Sequence, residues 1–329
     1  MNRAIKIERW LRIKMHRLRY VSKFHRWMAC ACAGILVISV IACRLALVQL
    51  SLGDSMIALF VVLAGVLPLP LYWHEKQRID MREGAMAIVW ALVLAIILPI
   101  SVYAAARAGM PLQDANFSRL DAAFGVSVPS MMAWASHHLL GVVLNWSYIL
   151  LIPLLPIAVF VPALTGKWKD ARVFLVANIA AFSIGLVGFA LLPAVGPWYG
   201  YHFAGTAQQM RCQSDLLLLR IPGPNSIQAA GVVCFPSFHV IWAILCARAL
   251  WGFKLVRIPL TVLATMIIFS TMTTGWHYFC DVLAGVIVAF LSIAIANAIN
   301  SKASGAMKAT VEGGPPRDVD GNASLVERA

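Results

Sequence analysis

Along this chain, apolar residues gather into long unbroken runs rather than recurring at strand or surface-helix spacing. The runs lie at about 27–50, 55–74, 85–107, 143–165, 172–193, 238–253, 257–275 and 278–299. About 20 such residues carry a helix across the hydrocarbon of a bilayer, and several of the runs reach that length. The other spanning solution, a closed barrel, would need short segments of alternating polarity, and the sequence has none. The pattern predicts an all-α, polytopic membrane helix bundle of about eight transmembrane helices.

Composition agrees. The chain is 61% hydrophobic and 12% charged, whereas a soluble domain is nearer half apolar and a quarter charged. A net charge of +13 raises the question of nucleic acid, but its distribution answers it. Nine Lys/Arg fall within the first 26 residues, directly before the first apolar run. Basic residues there read as a topology signal on anionic lipid, with the N-terminus in the cytoplasm. The first run is too long for a signal-peptide core and no convincing cleavage site follows, so a retained anchor is expected. With that orientation 21 Lys/Arg fall on the inner side and four on the outer, the asymmetry that the positive-inside rule demands. Arg44 and Arg248 lie inside runs, near enough to their ends to snorkel.

Two outer loops are long enough to build something. The first, about 108–142, contains Asp114, Asp121, His137 and His138. The two aspartates read as helix caps on that loop, and Met131 to Val143 as an interfacial or re-entrant helix. The second, about 194–237, holds Pro197, Trp198, Tyr199, Arg211, Arg220 and Pro236. The expected organisation is a basic cytoplasmic segment (1–26), additional N-terminal transmembrane helices (27–104), a second membrane domain (105–299) and a disordered cytoplasmic tail (300–329). Cys212 and Cys234 face the outer side, where they can pair or stay free thiols. No cysteine spacing resembles a metal site.

The chemistry-bearing residues lie in the final third. Cys234-Phe235-Pro236-Ser237-Phe238-His239 leads into the sixth run, and Trp276-His277-Tyr278-Phe279-Cys280-Asp281 into the eighth. Proline and serine suit a helix start, where serine caps free amides. The N–H groups of that start favour a phosphate, with His239 in the first turn beside it. His277 and Asp281 are four apart, so on a helix they share a face. A carboxylate on one imidazole nitrogen fixes the tautomer and leaves the other nitrogen free to attack. An aspartate at a membrane boundary also needs a partner or a task.

These motifs resemble the second and third signatures of the type-2 phosphatidate phosphatase superfamily, Pro-Ser-x-His and His-x-x-x-Asp followed by a short apolar run and Ala-Gly. Here they are Pro236, Ser237 and His239, then His277 and Asp281 with Ala284 and Gly285 beyond. The form Phe-Pro-Ser-Phe-His with His-Tyr-Phe-Cys-Asp, and Gly196-Pro197-Trp198-Tyr199 ahead of it, is similar to the branch containing inositol phosphorylceramide synthases. The resemblance covers about residues 105–298 and implies a six-helix catalytic core. It further implies that His277 attacks phosphorus to form a phosphohistidine, that Asp281 orients it, and that His239 protonates the leaving alkoxide. No metal or other cofactor is implied.

The chain departs from the family pattern in two places. It has no Arg-Pro dipeptide of the first signature, and the arginine expected six residues before the nucleophile is Thr271. The candidate substrate-binding residues are therefore Ser237, Arg211, Arg220 and Tyr199, with His202 a further substitute cation. The expected activity is a lipid-phosphate phosphatase or phosphotransferase at the outer face of a bacterial inner membrane, facing the periplasm or exterior. Both termini would be cytoplasmic. Its substrate would be a lipid phosphate or phospholipid, with a polyol such as inositol as a candidate acceptor. A multi-pass transporter would place its ionisable groups near the bilayer midplane, unlike these. An inactive membrane scaffold predicts that changing His277 alters nothing.

Overall fold

A computed structural model describes residues 23–51, 54–221, 225–228 and 233–312. The first 22 residues, most of the expected basic segment, and the tail from 313 onward lie outside the described residues. The chain opens with α1 (Lys23–Leu45), a short strand β1 (Val48–Ser51), and α2 (Asp54–Val66) and α3 (Leu69–Glu75) separated at Pro68. The long α4 (Ile79–Ala106) follows. Two short helices, α5 (Asp114–Ala123) and α6 (Val128–Ser136), lead into α7 (Leu139–Leu164) and α8 (Trp168–Leu191). A one-turn α9 (Pro197–Gly200), α10 (Ala207–Arg220) and strand β2 (Asn225–Gln228) precede α11 (Phe238–Ala249), α12 (Arg257–Thr273) and α13 (Phe279–Glu312). The described residues are overwhelmingly helical. Their exception is the parallel β1–β2 pair, with Val48 opposite Asn225 and Ser51 opposite Gln228.

Among the described residues, seven helical segments are long and apolar enough to cross a membrane, including Phe24–Leu45, Met56–Glu75 across the Pro68 break, and Phe279–Asn300. The protein is an integral membrane protein. The sixth of the about eight expected helices is the short one, since α11 has only 12 residues, about 18 Å of helix against some 30 Å of hydrocarbon. Its start is fixed by Ser237, whose side chain caps it. Its end comes at the turn through Leu250 to Gly252, ahead of the short 3-10 turn Lys254–Val256. The expected helix Met131 to Val143 is instead split at His137 and His138, between α6 and α7. α13 runs on to Glu312, past Asn300 where the tail was expected to begin.

In the largest apolar core cluster α4 packs against α1, α7 and α8, and α8 against α13. Away from that cluster, a buried ionic group joins α1, α4 and α8. Glu83 (5% exposed) accepts from His25 Nε2 at 3.1 Å and Arg82 at 2.8 Å, and also from Arg172. Trp90 Nε1 donates to His25 Nδ1 at 3.1 Å. Arg248, read as snorkelling, instead ion-pairs with Asp170 at 3.3 Å. Breaking a buried pair from one side leaves its partners uncompensated. Glu83→Ala is expected to cost about 3–5 kcal/mol, read as a lower unfolding temperature in detergent. A change below about 1 kcal/mol would show that the group does not tie α1 to α4 and α8.

Candidate active site

Two chain reversals build the site. At the first, the segment entering α11 ends on Ser237, whose Oγ accepts the Val240 amide at 3.4 Å. The Ser237 amide donates to the Asp281 carbonyl at 3.2 Å, which ties this helix start to that of α13. At the second, α12 ends at Thr273, and the amides of Trp276 and His277 both donate to the Thr271 carbonyl at 3.0 and 3.1 Å. The residue standing where the family carries an arginine thus shapes the turn that presents His277. Gly285 explains the Ala-Gly that closes the motif. A Cβ there would meet the Ser237 carbonyl at 2.8 Å and Val240 at 3.0 Å, so only glycine lets α13 pack this closely on α11.

His277 precedes α13, and Asp281 stands in its first turn. The expected shared helix face is therefore a helix-start pair, with His277 Nδ1 3.4 Å from Asp281 Oδ2. The same oxygen accepts the Tyr278 amide at 2.9 Å and the Cys234 thiol at 3.0 Å. His277 (3% exposed) and Asp281 (0%) are buried. Burial pushes the His277 imidazole down to about 4, so at neutral pH the ring is uncharged. An Nδ1 proton directed at Asp281 would leave the lone pair on Nε2. Burial, then the Asp281 charge, push the Cys234 thiol well up, which keeps it a donor.

Across the site the His239 ring stacks on Tyr148 of α7, centroids 4.3 Å apart, and faces His277 at 5.7 Å. Tyr148 also lies parallel to Trp276 at 6.4 Å, and Trp198 meets Trp276 edge-on at 5.6 Å. The two imidazoles thus lie beside one another among aromatic rings at the start of α11.

Asp114 and Asp121 correct the sequence reading most. They do not cap their own loop. Asp121 (0% exposed) accepts the amides of Phe279 at 2.9 Å and Cys280 at 3.1 Å, capping α13 from 158 residues away. Asp114 (3% exposed) accepts the amides of Val195 and Gly196 at 3.0 and 2.9 Å and the Tyr278 hydroxyl at 2.9 Å. Burial pushes both carboxyls up, and these hydrogen bonds pull them back. Together they lash α5 to the start of α13, which carries the site, and to the turn at Val195 and Gly196.

Of the residues expected in the site, the structure brings His277, Asp281, His239 and Ser237 together. Ser237 is fully buried as a helix cap. Arg220 donates to the Met110 carbonyl at 2.6 Å and braces the two long loops. Arg211 is exposed on α10 beside Asp215, Tyr199 is exposed on α9, and His202 is exposed just after it. Cys212 and Cys234 are free thiols. Sequence reasoning missed Cys234, Tyr148 and Tyr278 as members, and the structural role of Asp114 and Asp121. None of these carried a signal in the sequence, because their partners lie far along the chain or on another helix. Among the described residues, Cys234, His277 and Asp281 also bring three metal-ligand atoms within 4.8 Å of one another. A metal there would have to displace the thiol proton, which burial opposes.

A family model described as the PAP2 superfamily matches residues 115–295. No curated protein and no solved structure matches the chain.

Proposed function

The chain belongs to the PAP2 superfamily, and from that premise we propose that it cleaves the phosphoester of a lipid phosphate through a phosphohistidine on His277. The observation that carries the reading is the buried His277–Asp281 pair, 3.4 Å apart, with the His239 ring 5.7 Å across from it. His277 Nε2 attacks phosphorus as the bond to the lipid oxygen breaks. His239, whose burial opposes its charge in the free protein, takes up a proton as the anion binds and gives it to that oxygen. A hydroxyl then attacks the phosphohistidine, His239 takes up its proton, the P–N bond breaks and His277 returns neutral. Asp281 supports the positive charge that His277 carries while it is phosphorylated. Amides at the start of α11 offer donors to the phosphate oxygens, in place of the family's missing cations. Arg211, Arg220 and Tyr199 remain the proposed contacts to the headgroup.

If the attacking hydroxyl belongs to water, the enzyme is a phosphatase. A polyol acceptor would make it a phosphotransferase, and the motif form shared with inositol phosphorylceramide synthases favours that second reading. Phosphate release and lipid products are measured on the detergent-purified protein with phosphatidate and phosphatidylinositol, with and without myo-inositol. Release into water supports a phosphatase. A water-soluble polyol phosphate that appears only with the polyol, alongside the freed lipid alcohol, supports transfer. No turnover of any substrate would overturn the proposal.

The charge asymmetry supports a cytoplasmic N-terminus and a site on the outer face of a bacterial inner membrane. A reporter fused after Ala204 is expected outside the cell, and a cytoplasmic signal would refute that orientation. Cys234 acts here as a positioning residue. Cys234→Ala removes one neutral donor from Asp281, worth about 1 kcal/mol or roughly fivefold in kcat/KM. Cys234→Ser is expected to recover most of that loss. A serine variant as impaired as the alanine would show that packing, not the hydrogen bond, matters.

A further inference from the structure

A cavity of about 410 Å³ lies between α2, α4, α7, α8 and α11. An engineered cavity of about 150 Å³ already holds a benzene, so this one has room for a length of hydrocarbon chain. Its walls are apolar and include Leu59, Ala95, Leu98, Val159, Phe182 and Trp242. The polar side-chain atoms in its lining are already engaged. Trp242 Nε1 donates to Asn178 Oδ1 at 3.0 Å, and Asn178 Nδ2 donates to the Phe174 carbonyl at 3.0 Å. The walls therefore favour hydrocarbon over any headgroup.

Its position relative to the site is set by the helices. On α4 the lining residues lie seven to fifteen positions before Ala106, about 10–22 Å of helix from the end that leads to Asp114. On α8 the corresponding depth is about 14–26 Å, and on α7, which runs inward from Leu139, about 24–32 Å. In a hydrocarbon layer some 30 Å thick these depths bracket the midplane, the level of the methyl end of a long acyl chain whose phosphate sits at the surface. The cavity also connects to the catalytic helix. Phe238, next to His239, packs against the lining residues Phe182 and Trp242 at 5.5 and 5.4 Å. Two of the five enclosing helices, α2 and α4, lie outside the residues that the family model matches.

We propose that this cavity receives the distal part of the substrate's hydrocarbon chain, and that α2 and α4 were added to the catalytic core to select chain length. This rests on the lipid-phosphate reading of the site above. Ala95 is exposed within the cavity wall, so a larger side chain there fills space rather than displacing packed neighbours.

The test compares wild type, Ala95→Trp and Ile38→Trp, the last an exposed position on α1 away from the cavity. Phosphate release is measured from dihexanoyl and dioleoyl phosphatidate. Ala95→Trp is expected to lower kcat/KM at least tenfold for the long-chain substrate and to leave the short-chain value within twofold. Ile38→Trp should change neither. Equal losses on both substrates, or no loss on either, would overturn the proposal. A readout independent of turnover uses a phosphatidate carrying a photoactivatable diazirine at the end of a long acyl chain. In wild type it should label residues 91–99 of α4 and 155–160 of α7, and Ala95→Trp should suppress that labelling. Labelling confined to the outward faces of α1 and α13 would refute the cavity as a chain site. Cavity labelling without turnover of any substrate would instead refute the catalytic reading alone.

Discussion

Replacing His277 with alanine is expected to lower phosphate release from a lipid phosphate by about 10⁴–10⁶-fold, with little change in unfolding temperature. The magnitude follows from the role. A nucleophile opens a two-step path, and without it only binding and the electrostatics of the site remain to assist water. Asp281→Asn should cost about 10⁴-fold by the same logic, because an amide can present the wrong partner to Nδ1 and fix the wrong tautomer. His239→Ala removes a proton donor rather than the attacking atom, so a smaller loss of about 10²–10⁴-fold is expected. The ordering of the three is as diagnostic as their size. Rapid quench with ³²P-labelled substrate should trap an acid-labile phosphoprotein in wild type, and should trap none in His277→Ala. Unchanged turnover in His277→Ala would support a membrane protein whose catalytic motif is vestigial.

Asp121→Ala is expected to disable the site without touching it. The carboxylate holds the amides of Phe279 and Cys280 at 2.9 and 3.1 Å and is fully buried. Its loss leaves two helix-start amides unpaired where water does not reach, a cost of about 2–5 kcal/mol. The α13 start would then shift, carrying Asp281 and the preceding His277 with it. A misplacement of 1 Å can cost about 10²-fold in rate. The expected result is a lower unfolding temperature together with a fall in kcat of that order. Asp121→Asn keeps an acceptor for one of the two amides and should fall between. Wild-type stability and turnover in Asp121→Ala would mean that α13 is placed by apolar packing alone. Gly200 belongs to the same lashing, since a Cβ there would lie 2.2 Å from the Tyr278 hydroxyl and 3.0 Å from the Asp114 carbonyl. A substitution at Gly200 should therefore disturb the turn that carries His277.

The membrane class and most of the spans were legible in the sequence, because a helix crossing hydrocarbon is selected residue by residue for apolar character over some twenty positions. The same holds for His239, His277 and Asp281, which sit beside local start signals such as Pro236 and Ser237 and in a motif of fixed spacing. The short α11 was less visible. Apolar residues run on to Trp251 and Phe253, and composition does not show where the backbone leaves the helix. Asp114, Asp121, Cys234 and Tyr148 were decided by the tertiary structure alone. Their partners lie between 43 and 164 residues away in sequence or on another helix. A hydrogen bond over that separation depends on how α5, α7, α11 and α13 pack, and leaves no periodicity in the chain. The apolar cavity belongs with them, since each of its walls taken singly reads as an ordinary membrane helix.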